Sequence, residues 1–245
     1  MTTQQMLAGF RRAITEYKMI RDGDKIAVGL SGGKDSLTLL KLLAAYRKFS
    51  PERFEMIAVT VDLGFSGADF SPLARFAEEL GVPYVLEKTD IGEIVFDIRK
   101  ESNPCALCAK MRKGALNAAA VKNGCNKVAL GHHADDFLET MLLSFFYEGR
   151  LSTMPPKALL DRMGVVQIRP MMFLEEKNIA AYARDLPVCK NPCPADKETR
   201  REYVKNLVAE IKKEIPFARD RMVAALMHPE RYHLFDKFQS EIDLY

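Results

Sequence analysis

The sequence predicts an α/β protein: a doubly wound, mostly parallel five-stranded sheet with helices flanking it at both ends of the chain. Two observations carry that prediction. Short apolar and β-branched runs, read as strands buried on both faces, alternate with longer segments of helical periodicity. The first strand and helix are joined by a turn of small residues, Ser31-Gly-Gly-Lys-Asp-Ser36. Such a turn suits the crevice at the carboxyl end of a parallel sheet, where open α/β folds receive their ligands.

Before Asp24, the residues Met6, Leu7, Phe10, Ile14, Tyr17, Met19 and Ile20 follow helical spacing, with Arg11, Arg12, Lys18 and Arg21 alongside. Residues 1–23 therefore read as an amphipathic helix covering the domain. Lys25 to Leu30 is the first strand, and Leu37, Leu39, Leu40, Leu42 and Leu43 mark the helix after the turn. Phe54 to Val61 is the second strand and ends in Asp62. Backbone near Val61 is placed to read adenine, and Asp62 either approaches ribose or metal or caps the strand end. Ser71 to Leu80 is a helix closed by Gly81, Val82 to Lys88 the third strand, and Ile91 to Lys100 a short helix. A longer helix runs from about Asn103 to Val121 and stops near Gly124. Lys127 to Leu130 is the fourth strand, leading into Gly131-His-His-Ala-Asp-Asp136 and a helix marked by Phe137, Leu138, Met141, Leu142, Phe145 and Phe146. Val165 to Arg169 is a fifth, shorter strand. Beyond Pro170 the chain reads as helical and charged, interrupted by Pro187-Val-Cys-Lys-Asn-Pro-Cys-Pro194. The expected organisation is an N-terminal helix (1–23), a nucleotide-binding domain (24–170) and a C-terminal helical segment (171–245).

The turn at Ser31 carries the chemistry. Strand, small-residue turn and helix N-terminus aim several free N–H groups at one point, a seat for phosphate. Lys34 adds positive charge, and Asp35 is a candidate magnesium ligand. A Walker A loop is excluded, because Gly33-Lys34 is followed by Asp35 and the first glycine position holds Val28. The dinucleotide pattern also fails, since Gly29 and Gly32 are wrongly spaced. Gly131 would allow close backbone approach at the fourth strand end. There His132 or Asp135 can contact a bound phosphate ligand or metal, while Asp135 and Asp136 can equally cap the following helix.

Composition narrows the class. With 245 residues, 48% hydrophobic and 28% charged, the chain is of soluble globular type. No apolar run approaches a membrane span, and the start Met-Thr-Thr-Gln-Gln lacks a signal-peptide core, which implies the cytoplasm. A net charge of +3 permits a nucleic-acid partner without arguing for one. Long amphipathic terminal helices are compatible with a homodimer.

Five cysteines, two of them in Cys105-Ala-Leu-Cys108, favour metal or redox use over a disulfide framework. Cys105 and Cys108 open a helix, where the dipole lowers a thiol pKa. Two thiolates are not a complete site, and no second C-x-x-C has zinc-finger spacing. Remaining ligands would come from far along the chain, Cys193 first and Cys189 second. A redox pair stays open at this point. Cys125 reads as a buried structural thiol.

The Ser31–Ser36 turn looks like the pyrophosphate loop of ATP pyrophosphatases, which split ATP to AMP and pyrophosphate. Taken in order with Pro104-Cys-Ala-Leu-Cys108, Gly131-His-His-Ala-Asp-Asp136 with Glu139-Thr140, and Met154-Pro-Pro-Lys157, it resembles the tRNA 2-thiocytidine synthetases. The resemblance implies an adenine nucleotide alpha hydrolase-like fold, ATP bound by Ser31, Gly32, Gly33, Lys34, Asp35, Ser36, Val61, Gly131, His132, Asp135 and Asp136, and magnesium on Asp35. It also implies a 4Fe–4S cluster on Cys105, Cys108 and Cys193, with an anticodon-loop cytidine of tRNA as substrate. Lys34, Asp35 and the three cysteines would be the catalytic set, and a cysteine desulfurase a suitable sulfur donor. Lys110, Arg112, Lys113, Arg150, Lys157 and Arg162 are candidate contacts to tRNA phosphates. Other readings are a tRNA thiouridine synthase, a lysidine-type ligase, or a non-catalytic nucleotide-binding iron–sulfur regulator.

Overall fold

Strand β1 (Lys25–Gly29) lies inside a sheet with the order β3-β2-β1-β4-β6-β5. This is a computed structural model, and it describes residues 1–100, 104–189, 193 and 200–232. β2 (Glu55–Asp62), β3 (Tyr84–Lys88), β4 (Lys127–Ala129) and β6 (Val165–Ile168) run parallel to β1. The sequence reading missed one strand. β5 (Lys157–Leu160) pairs antiparallel with β6 at the sheet edge, so the sheet has six strands rather than five. Four residues beginning just after Pro155-Pro156 carry no legible alternation, and proline is tolerated there because the strand is an edge.

Alternate strand residues enter two cores. On one face Ile26, Val28, Ala58, Met56, Ala129 and Ile168 pack against α1 (Thr3–Glu16), α2 (Lys34–Arg47) and α7 (Glu176–Tyr182). α1 opens with a capping box in which Thr2 and Gln5 satisfy each other's backbone N–H. Its Met6 and Phe10 share that core with Ile179 and Tyr182, so α1 and α7 fold onto the same sheet face. On the other face Ala27, Ile57, Val59, Val128 and Val165 meet Leu116, Ala119 and Ala120 of α5 (Pro104–Lys122). α3 (Ser71–Glu79) precedes β3. The segment expected as one short helix is an α-turn, α4 (Ile91–Glu93), continuing into a π-helical stretch, Ile94–Arg99, that ends on Lys100 with φ +45°. π-helical segments of this kind recur beside functional sites.

α6 (Ala134–Glu148) carries the acidic first turn after β4. Its Ala134, Leu138 and Leu142 form a satellite core with Val204 of α8 (Arg200–Glu214) and Val223 of α9 (Ala218–Met227). Among the described residues no helix is long and apolar enough to cross a membrane.

At the amino end of β1 and β4, Asp24 and Lys127 form an ion pair with both side chains 5% exposed. Lys127 also donates to the Met19 carbonyl (2.8 Å), and Asn126 donates to Asp24 (2.9 Å). Removing one member of a buried pair strands the other charge. Lys127→Met should therefore lower unfolding stability by about 3–5 kcal/mol in urea titration. A loss below about 1 kcal/mol would show that the pair is not fixing this end of the sheet.

Candidate active site

The parallel strands deliver their following loops to one edge, and the Ser31–Ser36 turn occupies its centre. Gly32 takes φ +84°, a left-handed conformation that favours glycine. Ser36 is buried and staples the turn: its Oγ accepts from the Ser31 N–H (3.1 Å) and donates to the Gly33 carbonyl (3.0 Å). No side chain caps α2, whose N-terminal N–H groups remain open to an anion.

Lys34 Nζ lies 3.1 Å from Asp35 and 3.1 Å from Glu176 at the start of α7. Burial alone would lower its pKa, but the two carboxylates outweigh that and raise it, so Lys34 is a firm cation. One oxygen of Asp35, Oδ1, is buried with no hydrogen-bond partner among the described residues. That oxygen lies 3.8 Å from His133 Nε2, beyond hydrogen-bond distance, and keeps its capacity for a ligand.

Gly131 follows β4 and presses against the start of α2. A Cβ there would stand 3.1 Å from the Asp35 carbonyl group and 3.2 Å from the Ser36 nitrogen. Only glycine lets these two turns touch. Among the acids of α6, Asp136 caps the helix by accepting from the His133 N–H (3.0 Å) and pairs with Arg201 (3.0 Å). Asp135 accepts from the Glu176 N–H (2.7 Å) and from Arg219 (2.7 and 3.0 Å). Burial raises the Asp135 carboxyl, but Arg219 and the Glu176 N–H more than offset it and hold it low. Glu139, buried, pairs with Arg201 at 3.1 Å. These acids fasten α8 and α9 onto the site. His132 is pushed down to about 4, chiefly by burial and then by the Arg169 guanidinium, so its imidazole is neutral near pH 7.

Val61 is half-buried at the end of β2. Asp62 accepts from the Gly64 N–H (2.9 Å), capping the strand end. It also lines a cavity of about 400 Å³ with Phe70, Ser71, Ala74, Tyr84 and Leu86. Leu73 packs 3.5 Å from the position a Gly32 Cβ would take, so this α3 wall adjoins the loop.

The cysteines divide between two places. Cys105 is exposed, Cys108 buried and Cys193 half-buried. The Cys108 thiol is raised, first by burial against the opposing pull of Arg112, then by Cys193 and Cys105. Cys193 and Cys105 are thus near enough to act on the Cys108 thiol electrostatically. The raised thiol corrects the expectation of a lowered pKa: at Cys108 desolvation outweighs the helix N-terminus. Cys189 lies elsewhere, its N–H donating to the Gly32 carbonyl (3.0 Å) and its Cβ 3.1 Å from the Gly32 Cβ position. The rest of the Pro187–Pro194 segment, residues 190–192 and 194, lies outside the described residues. Cys125 is buried behind β4.

The candidate RNA contacts separate too. Lys110, Arg112 and Lys113 stand on α5 beside the cysteines. Arg150 pairs with Glu148 (2.6 Å). Lys157 turns away from the site to the Lys18 carbonyl (2.8 Å) and feels Lys127 and Asp24 at the opposite edge. Arg162 sits in the turn before β6, also at the amino edge. Sequence reading missed Glu176, Arg219 and Arg169, because only the fold brings these distant residues to the loop.

Comparison with known proteins agrees with this geometry. Residues 5–212 match the model of a PP-loop domain family. A tRNA-cytidine(32) 2-sulfurtransferase from Syntrophotalea carbinolica is 42% identical over 230 residues, covering 92% of this chain and 89% of that protein. One from Geobacter sulfurreducens is 41% identical, covering 92% and 90%. Among solved structures, the U34-tRNA thiolase NcsA from Methanococcus maripaludis with its [4Fe-4S] cluster superposes with a TM-score of 0.73 at 24% identity, over 96% of this chain and 82% of that one. An NH3-dependent NAD synthetase from Campylobacter jejuni gives 0.51 at 18% identity, over 93% of each chain. These likenesses establish a shared fold.

His132 yields a pH test. The unfolded chain titrates near 6.5 and the folded one near 4, so folding stability is complete above about pH 6.5 and declines as pH falls toward 4. In urea titrations at pH 7.5 and 4.5, the wild type should lose about 2 kcal/mol more than His132→Gln. Equal losses would mean that His132 is not held neutral by the fold.

Proposed function

This chain belongs to the PP-loop domain family and, within it, to the tRNA-cytidine(32) 2-sulfurtransferases, and we propose that it activates a tRNA cytidine with ATP and replaces the C2 oxygen with sulfur. One juxtaposition carries the reading: an uncapped anion-binding loop and a group of three cysteines share one edge of the sheet.

The carbonyl oxygen of cytosine is a poor leaving group. Transfer of AMP to that oxygen makes it a good one, with pyrophosphate released. The N–H groups at the start of α2 and the Lys34 ammonium hold the departing pyrophosphate and offset its charge. Asp35, with one buried oxygen lacking a partner among the described residues, suits magnesium, which is commonly held by one or two carboxylates together with substrate phosphates. Magnesium would stabilise charge on the phosphates. The adenosine moiety fits beside Val61, in the cavity bounded by Asp62, Phe70 and Tyr84.

For sulfur delivery, Cys105, Cys108 and Cys193 are the thiol set that fits an iron–sulfur cluster. Among the described residues no His, Cys, Asp or Glu trio is close enough to hold a single metal ion. A cubane spreads its cysteine ligands more widely than a mononuclear site does. Held by three thiolates, it would leave one iron to carry sulfur. The seat of Cys189 on the phosphate loop favours Cys193 over it for this role. Lys110, Arg112 and Lys113 would meet tRNA phosphates beside the cysteines. A cysteine desulfurase would supply sulfur, and a homodimer is the expected assembly. In this scheme residues 24–170 carry the activating loop and the CxxC helix, 1–23 cover the domain, and 171–245 contribute the third cysteine.

Anaerobic purification with iron counting, paired with mass spectrometry of tRNA nucleosides, tests the assignment. Cys193→Ser should lose both iron and 2-thiocytidine, whereas Cys189→Ser should retain the iron. The reverse pattern would move the third ligand to Cys189. A chain that thiolates tRNA with all three cysteines replaced would instead overturn the cluster reading.

A further inference from the structure

Arg169 is the one buried cation around this site that the scheme leaves unused. It directly follows β6 and is only 5% exposed. Its N–H donates to the Pro156 carbonyl (3.0 Å), and Nη1 donates to the Pro155 carbonyl (2.6 Å). Among the described residues Nε is buried with no partner and no carboxylate pairs with this guanidinium. Arginine is almost never buried without an acid, because its desolvation is then uncompensated. The cations nearest the phosphate loop are matched with acids: Lys34 with Asp35 and Glu176, Arg201 with Asp136 and Glu139, Arg219 with Asp135.

Its surroundings point toward the nucleotide. The guanidinium acts on His132, whose Nδ1 is likewise buried with no partner among the described residues. His132 follows Gly131, which touches the backbone of Asp35 and Ser36. Arg169, His132 and the phosphate loop therefore succeed one another across the ends of β6, β4 and β1. Two strand spacings put Arg169 about 10 Å from β1, within reach of a group beside the pyrophosphate seat but not of the seat itself.

We propose that Arg169 is a catalytic residue whose guanidinium, with His132 beside it, binds the α-phosphoryl oxygens during adenylyl transfer. This rests on the adenylation reading above. In that step the bond from cytidine O2 to Pα forms while the bond from Pα to the bridging oxygen breaks, and pyrophosphate leaves with the electron pair. Lys34 and the loop N–H groups serve the pyrophosphate. The α-phosphoryl oxygens remain charged throughout, in ATP, in the transferred ester and in AMP, and need their own cation. Phosphates of an RNA backbone usually meet solvated cations at a surface, so the burial of Arg169 favours the enclosed nucleotide. In the empty protein the lone charge is a liability, as expected of a preorganised receptor.

Thermal unfolding of the full chain with AMP or pyrophosphate as probes, together with tRNA-dependent pyrophosphate release, tests the proposal. Arg169→Met should unfold no earlier than wild type without ligand and lose the stabilisation by AMP. It should keep that by pyrophosphate, and release pyrophosphate at least about 100-fold more slowly. Arg169→Lys, which keeps the charge without the fork, should regain part of the AMP effect. Should the Met variant not fold, hydrogen exchange of wild-type residues 165–174 decides: slowing by AMP but not by pyrophosphate supports the role, and no slowing by AMP overturns it. The proposal also falls if Arg169→Met keeps the full AMP stabilisation, or if its defect is confined to tRNA binding, which would mark an RNA-phosphate contact. A wild type that releases no pyrophosphate with tRNA would defeat the adenylation reading, while the AMP measurement would still decide whether Arg169 binds the α-phosphoryl group.

Discussion

The parallel register of β1 between β2 and β4 is the constraint on which the site depends. Pairing Gly29 with Val59, and Val28 with Ala129, brings the ends of β1 and β4 nearly level, with β2 running on to Asp62 beside them. Beyond the strands the lock continues. The Leu30 N–H donates to the Val59 carbonyl, and the Thr60 hydroxyl donates to the Leu30 carbonyl at 2.7 Å. Parallel strands release their following segments at one edge. The phosphate turn, the end of β2 and Gly131 therefore meet without long-range loops. The missing Cβ of Gly131 closes the last gap, letting one turn rest on the backbone of the next.

Charge then fastens the rest of the chain to that edge. The acidic first turn of α6 is read by Arg201 of α8 and by Arg219 just inside α9. Glu176 bridges Lys34 and Lys205, so α7, α8 and the phosphate loop share one carboxylate. This arrangement bears on the third cysteine. Cys189 is held at the loop by its N–H, which binds the Gly32 carbonyl, and Arg201 is held to Asp136 on α6. Cys193, far along the sequence, is near enough to Cys108 to act on its thiol. Exposed pairs such as Lys205–Glu176 contribute little stability individually, and their effect here is chiefly one of placement.

Much of this was legible in the residues alone. The switch from β-branched runs to leucine at helical spacing located β1 and α2, and the small residues between them located the anion seat. Two thiols three apart marked the start of α5, because a local spacing is visible in any single sequence. What escaped was contact between distant segments. Arg219 and Glu176 look like ordinary surface charges until α9 and α7 fold onto α6. Arg169 looks like the polar end of a strand until its lack of an acid becomes apparent. β5 was hidden because four residues at a proline-flanked edge show no periodicity. The Cys108 thiol was misjudged because the helix N-terminus can be read from sequence whereas its burial cannot.

The central claim is that the two halves of this edge act on one atom, the O2 of a tRNA cytidine, which leaves as part of AMP. Following that oxygen tests it most directly. Transfer RNA carrying cytidine labelled with heavy oxygen at C2 would be converted by the reconstituted enzyme, and the released AMP analysed by mass spectrometry. The account predicts one heavy oxygen in each AMP formed per 2-thiocytidine. Unlabelled AMP, with the heavy oxygen in water or pyrophosphate, would contradict it.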